Sequence, residues 1–315
     1  MSSWPGAARH PHLVVGIDGS PGAERAARWA GGAADRIGAD LVAVHAHRPG
    51  ALAVVAVAPP LVYADGVAER WEEDLSEVFS GVWCRPLRNH GTSISTRFEQ
   101  GQPTRLLVSA AHLHNALAII VGSRCRGGLA EHLLGSVGHH LTHHSDVPVV
   151  VVRGEPRPAA VARILVGVDQ SADARAALDW AAEVAALSGS EIYLAGVIDR
   201  EARHPAASDE GCAGVVDILE CHLARAARPL RSRGLAVRLL TREGPVVASL
   251  LALAEEIDAG LIVTGRRGLG EVREAIHGSV SHQLMHRSTR PVAVVPLRSA
   301  PQPDGSGPRV LTCSR

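Results

Sequence analysis

The 315-residue chain predicts an α/β protein made of two tandem doubly wound domains, each with a five-stranded parallel sheet. Short apolar runs such as Leu13–Ile17 alternate with Ala-rich helical segments, as expected of strands buried on both faces between helices. The opening run also recurs. Leu13-Val-Val-Gly-Ile-Asp18-Gly-Ser20 matches Ile164-Leu-Val-Gly-Val-Asp169-Gln-Ser171, and Trp29 matches Trp180, both at an offset of 151. Further on, Gly101 matches Gly244, Gly122 matches Gly265 and Gly135-Ser136 matches Gly278-Ser279, at an offset of 143. The difference of eight (151 − 143) implies a shorter loop after the second strand of the second copy.

The elements follow in order. Leu13–Ile17 is the first strand, and Asp18-Gly-Ser20-Pro21 turns the chain. Ser20 suits a helix N-cap and Pro21 a first helical position, for a helix over Ala23–Ile37 that stops at Gly38. Leu41–Ala46 is the second strand, Val67–Val82 a helix, Ser95–Phe98 a third strand and Thr104–His114 a helix. Ala118–Val121 is the fourth strand, Leu129–His144 contains the last helix and Val147–Val152 is the fifth strand. The second copy repeats the plan with strands at Ile164–Val168, Ile192–Val197, Val237–Leu240, Leu261–Val263 and Val292–Val295. The expected domains are 1–156 and 157–300, joined near Gly154–Ala160, with a disordered tail over 301–315.

Composition removes several function classes. The sequence contains no lysine, so neither a Walker A lysine nor a Schiff-base amine is available. Its 32 basic residues, all Arg, balance 32 acidic ones, which leaves no global field for nucleic acid or an anionic membrane. Five cysteines with no C-x-x-C spacing argue against a disulfide framework or a four-cysteine zinc site. Met1–His12 has no signal-peptide pattern, and the longest apolar run, Ala51–Tyr63, has 13 residues where a membrane span needs about 20. A cytoplasmic protein is expected.

Two positions per copy carry chemistry, because ligands of such sheets bind beyond the carboxyl ends of the strands. One is the acid after the first strand, Asp18 or Asp169. It can accept hydrogen bonds from a ribose or an amine, hold a metal, or simply shape the turn. The other follows the fourth strand and reads Gly265-Arg-Arg-Gly268-x9-Gly278-Ser279 in the second copy. Glycines admit close backbone approach, and amides at a helix start attract a phosphate. The same glycines could equally serve as packing turns.

The run Val-Gly-Ile-Asp18-Gly-Ser20, the segment Gly122-Ser-Arg, the motif Gly135-Ser136-Val and the strand Val147-Pro-Val-Val-Val-Val resemble the universal stress protein family. In the second copy Val-Gly-Val-Asp169, Gly265-Arg-Arg-Gly268, Gly278-Ser279-Val280 and Arg290-Pro-Val-Ala-Val-Val do the same. The resemblance is to the tandem, ATP-binding form. It implies strand order 3-2-1-4-5 in each domain and an intrachain pseudo-dimer through the final strands. It implies nucleotide contacts at Asp169, Val197, Gly265, Gly268, Gly278, Ser279 and Val280, and at Asp18, Ala46, Gly122, Gly135, Ser136 and Val137. The ligand it implies is an adenine nucleotide, ATP with or without Mg2+. The role it implies is a nucleotide-dependent stress-response regulator with a protein partner that the sequence does not identify. Homodimerisation, slow ATP hydrolysis and a pure interaction module remain alternatives. No residue is placed as a base to activate water, so no catalytic residue is assigned.

The first copy departs from the motif at Cys125, which stands where the second has Gly268. The second copy is therefore expected to be the better site. Cys125, flanked by Arg124 and Arg126, could alternatively be a redox-sensitive thiol. His139, His140, His143 and His144 include two i,i+4 pairs, a spacing able to bind zinc. No Cys or Glu is placed as a third ligand, so the expectation is ordinary helix surface and no metal.

Overall fold

A computed structural model describes residues 10–47, 67–90, 92–123, 135–156, 161–199, 212–268 and 280–297. Cys125, Gly278, Ser279 and the tail over 301–315 lie outside the described residues.

The first half runs β1 (His12–Gly16), α1 (Pro21–Ile37), β2 (Asp40–His47), α2 (Val67–Val78), β3 (Ile94–Gln100), α3 (Pro103–Leu113), β4 (Ala118–Gly122), α4 (Ser136–His144) and β5 (Val149–Val152). The second runs β6 (Arg163–Gly167), α5 (Ala172–Ser188), β7 (Glu191–Ile198), α6 (Cys212–Ser232), β8 (Val237–Glu243), α7 (Val246–Glu256), β9 (Leu261–Gly265), α8 (Val280–Arg287) and β10 (Val292–Val295).

Local chemistry sets the helix ends. Ser20 Oγ accepts from the Ala23 N–H at 3.2 Å, and Ser171 Oγ from the Ala174 N–H at 3.0 Å, so each half starts its first helix with a side-chain cap. Gly38 and Gly189 close those helices in the left-handed region, at φ 66° and 65°. The helix expected to reach Val82 instead leaves the α form after Val78. It widens into a π turn, Phe79–Trp83, followed by a 3-10 segment, Arg85–His90. The wider turn and the tighter segment after it bury Phe79, Cys84 and Leu87 against the core, which a continued α-helix would aim differently.

The ten strands form one sheet in the order β3-β2-β1-β4-β5-β10-β9-β6-β7-β8. Each half is parallel with order 3-2-1-4-5 counted from its own first strand, as expected. The halves meet antiparallel at β5 and β10. There Val150 pairs with Ala293, its own counterpart at offset 143, so a pseudo-twofold axis passes between them. The tryptophans obey the same symmetry. Trp29 Nε1 donates to the Gly260 carbonyl at 3.4 Å, and Trp180 Nε1 to the Leu117 carbonyl at 2.9 Å, each reaching into the other half. Two apolar layers cover the two faces of the sheet, and each contains residues of both halves. The cores are therefore shared, which makes the intrachain pairing a folding feature rather than a loose contact.

Candidate functional site

In the first half, a cavity of about 210 Å3 opens over the carboxyl ends of β1, β2 and β4. Its lining includes Asp18, Ala46, Gly122, Gly135 and Val137, together with Ser20, His45, Pro103, Leu107 and Gly138. Strands β1 and β4 are neighbours and their connections leave on opposite sides, which creates the crevice.

Asp18 stands at the mouth. One carboxylate oxygen accepts from the Ser20 N–H at 3.0 Å, so Asp18 also shapes the turn. The second oxygen is available to a ligand. Helix α4 begins at the opposite wall. Its N-cap, Gly135, makes no side-chain cap bond, so among the described residues no side chain caps the first-turn amides beside the cavity. Ser136 is the first residue of α4 and is exposed, next to the lining residues Gly135 and Val137.

His45, Pro103 and Leu107 belong to the cavity without having been singled out in the sequence. His45 is buried, and its Nδ1 lies 2.7 Å from the Ile17 carbonyl oxygen. Burial, chiefly, lowers its pKa. Its ring stacks on Phe98 at 5.4 Å. The signal for Pro103 and Leu107 was available: they follow Gly101 at the start of α3, on the same sheet face as α4.

In the second half, Asp169 repeats the turn, with one oxygen accepting from the Ser171 N–H at 3.0 Å. A Cβ placed on Gly268 would sit 2.6 Å from Asp169 Oδ2, so this glycine lets the loop rest against the carboxylate. Val197 ends β7 half-buried, and Val280 opens α8. Gly278 and Ser279 would complete the wall and lie outside the described residues. The cavity assembled from described residues is that of the first half.

The glycines after the fourth strands have another use. A Cβ on Gly122 would lie 2.1 Å from the Gly22 carbonyl oxygen, and one on Gly265 would lie 2.6 Å from the Asp173 carbonyl carbon. These glycines let the strand abut the first turn of α1 or α5. Arg266, the residue after Gly265, donates to the Ser145 carbonyl of the first half. Desolvation lowers its pKa, with Asp173 opposing.

The model of the universal stress protein family matches residues 10–153 and again 161–296. The chain belongs to the universal stress protein family. A universal stress protein of Mycolicibacterium smegmatis is 28% identical over 294 residues, covering 90% of this chain and 96% of that protein. One from Mycobacterium tuberculosis is 37% identical over 145 residues, 46% of each. Among solved structures, a universal stress protein from Archaeoglobus fulgidus matches with TM-score 0.66 at 23% identity, covering 92% of this chain and 99% of that one. A universal stress protein structure from Pseudomonas aeruginosa matches with TM-score 0.56 at 17% identity, over 91% and 94%. At these identities the structural likeness concerns the fold. Among the described residues of this universal stress protein, no helix is long and apolar enough to cross a membrane.

Proposed function

We propose that this universal stress protein binds an adenine nucleotide in the first-half cavity and acts as a nucleotide-dependent regulator of a stress response. The observation that carries this reading is the pairing, across one crevice, of the Asp18 carboxylate with the uncapped start of α4. A carboxylate accepts from ribose hydroxyls or an exocyclic amine, and helix amides donate to phosphate oxygens. A nucleoside phosphate presents those groups at its two ends. The cavity, at about 210 Å3, is smaller than sites that enclose whole drug-sized ligands. It suits the nucleoside portion, with the phosphates at α4 and toward the chain that precedes it.

ATP is the reading favoured by the glycine pattern, and an accompanying Mg2+ would be held through its phosphates. Occupancy is read as a signal rather than as turnover. A ligand regulates by binding two conformations unequally, and the nucleotide would do so here toward a protein partner.

The test is calorimetric titration of the purified chain with ATP, ADP and AMP, beside mass spectrometry of small molecules released on denaturation. Binding of at least one of the three is expected, weakened about tenfold or more, or roughly 1.4 kcal/mol, by Asp18→Ala in folded protein. Absence of binding by all three, or affinity unmoved by Asp18→Ala, would refute the assignment.

A further inference from the structure

Histidines of the two halves meet at the pseudo-twofold axis. His139 on α4 and His282 on α8 are counterparts at offset 143, and their ring centres stand 5.9 Å apart, edge to face. A residue that touches its own counterpart lies beside the axis. Each is flanked one turn along its helix by a second ring: His143 lies 4.5 Å from His139, and His286 lies 4.3 Å from His282. Four imidazoles, two from each half, thus form a row across the seam. The Nε2 atom of His143 is buried and has no hydrogen-bond partner among the described residues.

The surroundings narrow the chemistry. His143 is half-buried, with the neighbouring histidines and Arg266 around it. Asp146, the nearby carboxylate, is engaged with His112 at 2.9 and 3.0 Å. The seam therefore offers imidazole nitrogens and little negative charge, which excludes the oxygen-seeking Ca2+ and Mg2+. Zn2+ and its borderline neighbours favour imidazole. Four-coordinate zinc with Zn–N bonds of about 2.0–2.1 Å sets adjacent imidazole centres ~5 Å apart. The three neighbouring pairs of the row stand at 4.3–5.9 Å, so the outer rings would have to swing toward the middle pair. Among the described residues no three such side chains already stand arranged to hold a metal. Binding therefore requires the rings to rotate. His139 is exposed and the other three are half-buried, so the rotation does not unpack a core.

We propose that His139, His143, His282 and His286 form a binding site for a zinc-class divalent transition metal that bridges the two halves, with His139 and His282 as the anchoring ligands. The site is distinct from the cavity, although α4 serves both: Val137 and Gly138, which line the cavity, immediately precede His139.

The experiment is a Co2+ titration of the full-length, tag-free chain, followed by the visible ligand-field bands and by displacement with Zn2+. One Co2+ per chain with tetrahedral-type absorption is expected. The double variant His139→Ala/His282→Ala should weaken binding at least about 100-fold, because loss of an outer-shell partner alone costs 10–100-fold. His140→Ala/His144→Ala, which removes the i,i+4 pair facing away from the seam, should leave the titration unchanged. Should the double variant fail to fold in chelator, His139→Asn alone is read, with a loss of about tenfold or more expected. The proposal is overturned by the absence of a saturable band, by affinity indifferent to the seam substitutions, or by binding that depends on His140 and His144 instead.

Discussion

Single residues in this protein often serve geometry where the sequence suggests chemistry. Gly122 and Gly265 look like parts of a phosphate cradle, and close packing against α1 and α5 independently demands a glycine there. Gly122→Ala should therefore destabilise the chain by roughly 2–4 kcal/mol, because the clash is with rigid backbone rather than a movable side chain. Gly214, whose Cβ would meet open space within α6, is the control. Gly214→Ala should be stabilising by about 0.5–1 kcal/mol on helix propensity. Urea unfolding of both variants reads the difference, and equal midpoints would contradict the packing account. A related case is Gln170, which replaces the glycine of the first copy yet keeps its left-handed backbone, at φ 66° against 73° for Gly19. The turn survives that substitution because the Asp169 carboxylate still caps the Ser171 amide.

Elements are joined by bonds that run between the copies. The repeated tryptophans are visible as a pair in the sequence, but their partners are main-chain carbonyls of the opposite half. Trp180→Phe removes a 2.9 Å buried hydrogen bond and leaves the Leu117 carbonyl unsatisfied, at an expected cost of about 1–3 kcal/mol. Trp29→Phe breaks a longer contact, 3.4 Å, and should cost less. Denaturant unfolding of the two variants in parallel gives the order, and the reverse order would show that the indole bonds do not carry the asymmetry. The second helix illustrates a local limit on sequence reading. Its apolar spacing continues past Val78, and only the need to seat Phe79, Cys84 and Leu87 in the core turns it into π and 3-10 segments.

At the scale of the molecule, the two halves behave as a dimer written into one chain. β5 is an apolar edge whose unpaired backbone is a liability in isolation, and β10 covers it antiparallel about Val150 and Ala293. A chain comprising residues 1–156 alone retains that edge and half of each shared core. It should form a homodimer through β5, with Val150 opposite Val150, at micromolar concentration by light scattering. Val150→Asp would then place two carboxylates face to face and return the fragment to monomer. A fragment that is monomeric without the substitution would show that the tandem linkage, and not the edge, creates the pairing.

The repeat, the strand alternation, the capped turns at Ser20 and Ser171 and the acid–glycine pattern were all legible in the linear sequence. They depend on short-range periodicity and on backbone conformations that particular residues prefer. Most residues assigned to the first-half site meet around one cavity, since they sit at strand ends that any doubly wound sheet brings together. Other features needed the folded chain. Arg266 reaches across to Ser145, His45 joins the cavity wall, and His139 meets His282 of the other half. Each depends on the rotational phase of a helix or on a contact between segments more than a hundred residues apart, or on which pocket a strand end borders. Such placements are set by packing around the pseudo-twofold axis, and no local pattern of residues encodes where that axis falls.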